Sequence, residues 1–109
     1  MEIDKETQSK IQELQSYEQS FQSILMQKQA FQMELNETEN AFSEILKSDD
    51  QVFKTMGNIM VKVNKGDIEK ELKHKKDMLQ LRLKSIEKQE EDLNRKVEEI
   101  REEVIKKIK

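Results

Sequence analysis

The sequence contains no cysteine, no proline and no tryptophan, has only two glycines, Gly57 and Gly66, and draws 5% of its residues from the aromatics. Each absence removes a class of explanation. Without cysteine there are no disulfides, thiolate metal sites or cysteine nucleophiles in these 109 residues, and the composition suits a reducing compartment. Without proline, and with glycine confined to one short region, nothing interrupts a helix over long distances. Hydrophobic residues make up 34% and charged residues 39%, which is too thin for a single closed core. No apolar run approaches the ~20 residues that span a bilayer. The start Met1-Glu2-Ile3-Asp4 is acidic and carries no apolar signal segment, so a cytoplasmic location is expected. The net charge of −3 lacks the basic excess of a phosphate-binding protein.

Low hydrophobicity with high charge also describes disorder, but here the few apolar residues are regularly spaced. A heptad runs from Glu2 to Leu46, with Leu14, Phe21, Leu35 and Phe42 at a and Ile3, Tyr17, Ile24, Phe31 and Ile45 at d. Lys28 fills one a site, and Lys10 and Thr38 fill d sites. Such polar residues weaken a seam but can fix its register, and the simple reading of Lys28 is a packed stem with its ammonium in water. Ile11, Leu25 and Leu46 suggest a second apolar row at e. A second heptad begins near Ile68, with Leu72, Leu79, Ile86, Leu93 and Ile100 at d and Leu83, Val97 and Val104 at a. Lys76 and Glu90 are its polar exceptions. Acid-before-base pairs four apart, such as Glu91/Arg95 and Glu102/Lys106, lace its outer faces.

Between the helices the period falls to two. Val52, Phe53 and Met56 precede Gly57-Asn58, and Ile59, Val61 and Val63 follow. Gly57 supplies the positive φ of a type II′ turn, which predicts a hairpin pairing Val52 with Val63, Lys54 with Val61 and Met56 with Ile59. Asp67 is the expected cap of the second helix. The expected organisation is therefore one domain over residues 1–109: a helix over 1–48, a β-hairpin over 52–63 and a helix over 67–109. Two helices of matched length joined by a hairpin return the chain antiparallel, so the fold class is mainly α. A lone hairpin is marginal in water and must pack or pair with something.

Catalytic chemistry has little to work with. The single histidine, His74, sits among Lys73, Lys75 and Lys76, which oppose a metal, and no third ligand accompanies Asp77. No glycine-rich phosphate loop or activated nucleophile is present, so neither enzymatic activity nor a cofactor is expected. The basic cluster Lys70–Lys76 is interrupted by Glu71 and reads as a solvated face rather than a nucleic-acid site. The helix ends offer more. Ile3 and Ile11 should lie beside Val104, Ile105 and Ile108, an apolar strip where helices fray, able to hold other apolar surfaces weakly or simply to complete the seam.

The order of features resembles the β-class subunit of prefoldin, also called GimC, of archaea and eukaryotes. The likeness covers most of the chain. It rests on Gln27-Lys28-Gln29 with Leu35-Asn36-Glu37-Thr38-Glu39 and Ala41-Phe42, on Val52-Phe53-Lys54 with Gly57-Asn58-Ile59 and Val61, and on Leu79-Gln80-Leu81-Arg82 through Ile86-Glu87-Lys88-Gln89-Glu90. The resemblance implies a hexamer of two α-class and four β-class subunits whose hairpins join in inter-subunit β-barrels. The hairpin residues Val52, Phe53, Met56, Gly57, Asn58, Ile59, Val61 and Val63 would serve assembly. It also implies an ATP-independent holdase that captures unfolded polypeptides with its coiled-coil tips (Ile3, Ile11, Val104, Ile105 and Ile108) and delivers them to a group II chaperonin. Neither nucleic acid nor membrane is implied as a partner. Some family members carry a tail beyond the second helix; here the sequence stops at Lys109 still in helical pattern, and any function of such a tail is expected to be absent or truncated. The competing reading is a structural coiled-coil adaptor, a homodimer without chaperone activity.

Overall fold

The computed structural model describes residues 4–49 and 51–108. Helix α1 (Lys5–Lys47), strands β1 (Val52–Met56) and β2 (Ile59–Val63) and helix α2 (Lys65–Ile108) follow one another. The chain divides into two compact units, residues 1–29 with 84–109 and residues 30–83. Each holds a stretch of α1 beside an antiparallel stretch of α2, and the second also holds the hairpin.

In the first unit α1 begins after Asp4, whose Oδ1 accepts the Thr7 N–H at 2.7 Å. The Asp4 carbonyl accepts the Gln8 N–H at 3.0 Å. A short acidic side chain here satisfies amides that the first turn leaves orphaned and suits the positive end of the helix dipole. The a and d positions of α1 turn inward: Thr7 is buried, and Lys10, Leu14, Tyr17, Phe21, Ile24 and Lys28 are half-buried. From α2, Ile86, Val97 and Val104 are buried, and Glu90, Leu93 and Ile100 half-buried. The two polar exceptions Lys28 and Glu90, which look unrelated in sequence, face each other with Nζ 3.6 Å from Oε1. They form one polar layer, the kind that specifies register.

In the second unit the core is Leu35, Leu79 and Leu83, with Phe31 packed against it. The Arg82 guanidinium lies 5.6 Å from the Phe31 ring centroid, a cation–π contact of roughly 0.5–1 kcal/mol at an exposed site. Thr38 is buried at its d site and donates its hydroxyl to the Glu34 carbonyl at 2.8 Å, so its polar group is satisfied within its own helix.

The expected apolar row at e is not a seam. Leu25 is 50% and Leu46 55% exposed, while Ile11 is half-buried. With one partner helix only the a and d stripe is covered, and a wider stripe needs a second neighbour. The acid-before-base pairs also differ. Arg95 reaches Asp92 rather than Glu91, and Arg101 reaches Glu98. Long solvated side chains gain little from any single pairing and choose freely among neighbours.

The hairpin has the predicted register, Val52↔Val63, Lys54↔Val61 and Met56↔Ile59. Gly57 has φ of +60°, the conformation in which a Cβ would be strained. Helix α2 starts earlier than expected. Asn64, not Asp67, is its cap: Asn64 Oδ1 accepts the Asp67 N–H at 3.2 Å and its carbonyl accepts the Ile68 N–H at 3.1 Å. Asp67 occupies the first turn, where its charge suits the dipole.

Leu79 is 4% and Leu81 63% exposed. Leu79→Ala is expected to cost ~2–4 kcal/mol through lost burial and a residual void, whereas Leu81→Ala should stay within about 0.5 kcal/mol. Thermal unfolding followed by helical circular dichroism separates the two; equal losses would place the seam elsewhere.

Candidate functional site

Two surfaces remain after the seam is accounted for, the hairpin and the helix ends. The hairpin belongs to the second unit. Its base is tied down by Lys65, whose Nζ donates to the Ser48 carbonyl at 2.8 Å, just where α1 ends. Lys54, an odd residue on the face of Val52 and Val61, is explained by Glu71 on α2, 3.0 Å away. This ion pair turns the Lys54 face toward the helices. Beneath it a groove of about 250 Å³ is lined by Ala41, Ile45, Val52, Ile68 and Leu72, among others.

Val52 is therefore buried at the foot of the hairpin, against residues of α1 and α2. Val63 is half-buried. The rest of the expected set is open. Phe53, Met56, Ile59, Met60 and Val61 are all exposed, Ile59 at 64% and Met60 at 71%, and the turn residues Gly57 and Asn58 are exposed too. The sheet has two strands and no others among the described residues, so each strand keeps one edge of unpaired amides and carbonyls. An apolar, open-edged ribbon of this kind templates further strands. Met60 was not among the expected assembly residues. Its place on the outward face, in register with Thr55, follows from the alternation alone.

The helix ends belong to the first unit. Of the expected apolar strip, Ile3 and the Ile108 side chain lie outside the described residues. Ile11 is half-buried and Ile105 is 47% exposed. Val104 is buried: as an a residue it closes the seam. What sequence reading missed is the charge across this end. Lys10 Nζ lies 2.7 Å from Glu103 and 3.5 Å from Glu6, and Lys107 Nζ lies 2.6 Å from Glu6 and 3.6 Å from Asp4. The signal was Lys10 at a d site, with acids spaced to meet it.

These contacts move the groups' proton affinities. Hydrogen bonds from Thr7, then the Lys107 ammonium, hold Asp4 below its ordinary 3.8. Lys107, then Lys10, holds Glu6 below 4.5. Glu103 above all raises Lys10, and Glu6 then Asp4 raises Lys107, above 10.5. Depressed carboxylates stabilise the folded end above their ordinary values, and that contribution is lost as pH falls through the lowered ones. Raised lysines stabilise it below 10.5, and theirs is lost as pH rises beyond. The pairs thus keep their opposite charges across the whole neutral range.

Among the described residues no group of three His, Asp or Glu side chains could share a metal ion. Lys75, in the basic cluster, is paired with Glu34 at 3.4 Å. No described helix is long and apolar enough to cross a membrane.

Comparison with known proteins agrees with this architecture. The family model described as prefoldin subunit matches residues 8–109. The prefoldin subunit beta of Pyrococcus abyssi is 40% identical over 100 residues, covering 90% of this chain and 86% of that one. That of Thermococcus kodakarensis is also 40% identical, with the same coverage. The crystal structure of the prefoldin beta subunit from Thermococcus strain KS-1 superposes with a TM-score of 0.87 at 37% identity, over 94% of this chain and 92% of that one. Two helices flanking a single open-edged hairpin, matched by the family model from residue 8 onward, place the chain in the prefoldin subunit family.

Proposed function

We propose that this chain is a non-catalytic subunit of a hexameric, ATP-independent holdase, four copies of it assembling with two α-class subunits. The observation that carries the reading is the hairpin: five exposed large apolar side chains on a two-stranded ribbon with open edges. A ribbon that is unstable alone gains burial and strand pairing when neighbouring hairpins close into a barrel. The free helix ends then serve as the capture surface for unfolded polypeptides, through Ile11 and Ile105, with Ile3 and Ile108 as their sequence neighbours. Clients pass to a group II chaperonin without nucleotide, in the cytoplasm.

Two experiments test the parts separately. Ile59→Asp or Val61→Asp places a charge where the barrel would bury it, which is strongly unfavourable. Helical circular dichroism should be unchanged while light scattering shows only subunits or dimers. A hexamer of unchanged mass refutes assembly through the hairpin, and a homodimer indifferent to an α-class partner favours the adaptor reading. Deleting residues 1–11 and 102–109 should leave the hexamer intact and sharply reduce its suppression of client aggregation. Undiminished suppression removes the ends as the capture site.

A further inference from the structure

The helix ends carry a feature that assembly and capture do not require. The heptad positions there are Thr7 at a and Lys10 at d in α1, and Val104 at a and Lys107 at d in α2. Three of these four seam positions are polar. In the second unit the corresponding layers hold Leu35, Leu79 and Leu83. The helices are nevertheless closed against each other at this end, since Thr7 and Val104 are 3% and 8% exposed. What crosses between them is charge: Lys10 with Glu103, and Lys107 with Glu6 and Asp4. Asp4 does two things at once. One carboxylate oxygen caps α1 through Thr7, and the other faces Lys107. Loss of Lys107 therefore loosens the first turn of α1 as well as its grip on α2.

We propose that the free end is an ion-pair clasp, Asp4, Glu6 and Lys10 of α1 against Glu103 and Lys107 of α2, whose opening uncovers Val104 and the buried side of Ile11 for an apolar client segment. The proposal rests on the capture reading above for its use, but the clasp itself stands on geometry. All five side chains are in part solvated, and exposed pairs are weak and screened by salt. Apolar layers do not weaken in this way with ionic strength. Closure by several solvated ion pairs lets this end open reversibly, where the layers of Leu35, Leu79 and Leu83 would not. Closed, it offers Ile105 and the exposed side of Ile11. Open, it adds Val104 and the rest of Ile11 from opposite helices, a wider surface suited to unfolded chains of any sequence.

The test is amide hydrogen exchange on the assembled complex, reading residues 5–14 and 97–107 against residues 75–90. In the unaltered protein, raising salt from ~10 mM to ~0.5 M, which shortens the screening length from about 30 Å to under 5 Å, should speed exchange at the ends by at least about threefold and leave residues 75–90 unchanged. Lys107→Glu should give the fast rate already at low salt. Lys10→Leu with Lys107→Leu, which makes the layers apolar, should give slow exchange at both salt concentrations. Salt-insensitive exchange at the ends of the unaltered protein, or a Lys107→Glu variant that exchanges as slowly as it, overturns the clasp. Aggregation suppression measured on the same proteins reads the capture role separately. If the clasp opens as expected while suppression is unmoved, the capture reading fails and the clasp does not.

Discussion

Everything in this molecule follows from the limits of a seam between two helices. Each helix has one partner, so each can bury only the stripe at a and d, and the neighbouring positions stay wet. Among the described residues even the deepest side chains, Thr7, Thr38 and Leu79, keep a few per cent of their surface. Such a seam tolerates polar residues that a globular core would reject, because a partner or a solvent path is always near. Several of them are answered by a partner. Lys28 is answered by Glu90 across the seam, Lys10 by Glu103, and Thr38 by the carbonyl of Glu34 one turn back. No buried side-chain nitrogen or oxygen among the described residues is left without a hydrogen-bond partner.

The same limit explains why the hairpin is left uncovered. A two-helix seam has no spare apolar surface with which to cover a sheet. The helix ends near the hairpin take in Val52 and part of Val63, and the Lys54–Glu71 pair fixes which side faces them. That arrangement leaves Phe53 and Met60 on the outward face, and Met56, Ile59 and Val61, though on the Lys54 face, remain exposed. The methionines among them are flexible and polarisable, and they adapt to an irregular apolar neighbour at little entropic advantage to any one geometry. Burial of the foot of the ribbon orients it, and the remainder stays an exposed, open-edged apolar surface.

Local chemistry made much of this legible. Gly57 could occupy only a turn position that needs positive φ, and period-two alternation on either side then set the register of every pair. The a and d assignments were equally readable, because apolar residues recur there without competition. What the sequence concealed was of two kinds. Asn64 and Asp67 are three residues apart and both suit a helix start, so composition could not say which caps and which sits in the first turn. Cross-seam partners were hidden for a different reason: pairing Lys28 with Glu90, or Lys54 with Glu71, needs the stagger of two helices, which no local pattern records. Leu25 and Leu46 misled in the opposite direction, since an apolar residue at e looks like seam until the number of neighbours is known.

The distribution of layer types along the seam has its own logic. A leucine layer and an apolar client segment are attracted by the same force, non-directional and proportional to area. An end closed by leucine would resist opening with the interaction that capture depends on, and stronger binding surfaces would close more tightly on themselves. Ion pairs separate the two demands. Lys107 and Lys10 hold the ends through charge, which a client's apolar surface neither supplies nor must outcompete in kind, while Val104 beneath them stays dry. The polar seam positions at this end, which weaken the coil, are the positions at which a reversible opening costs least.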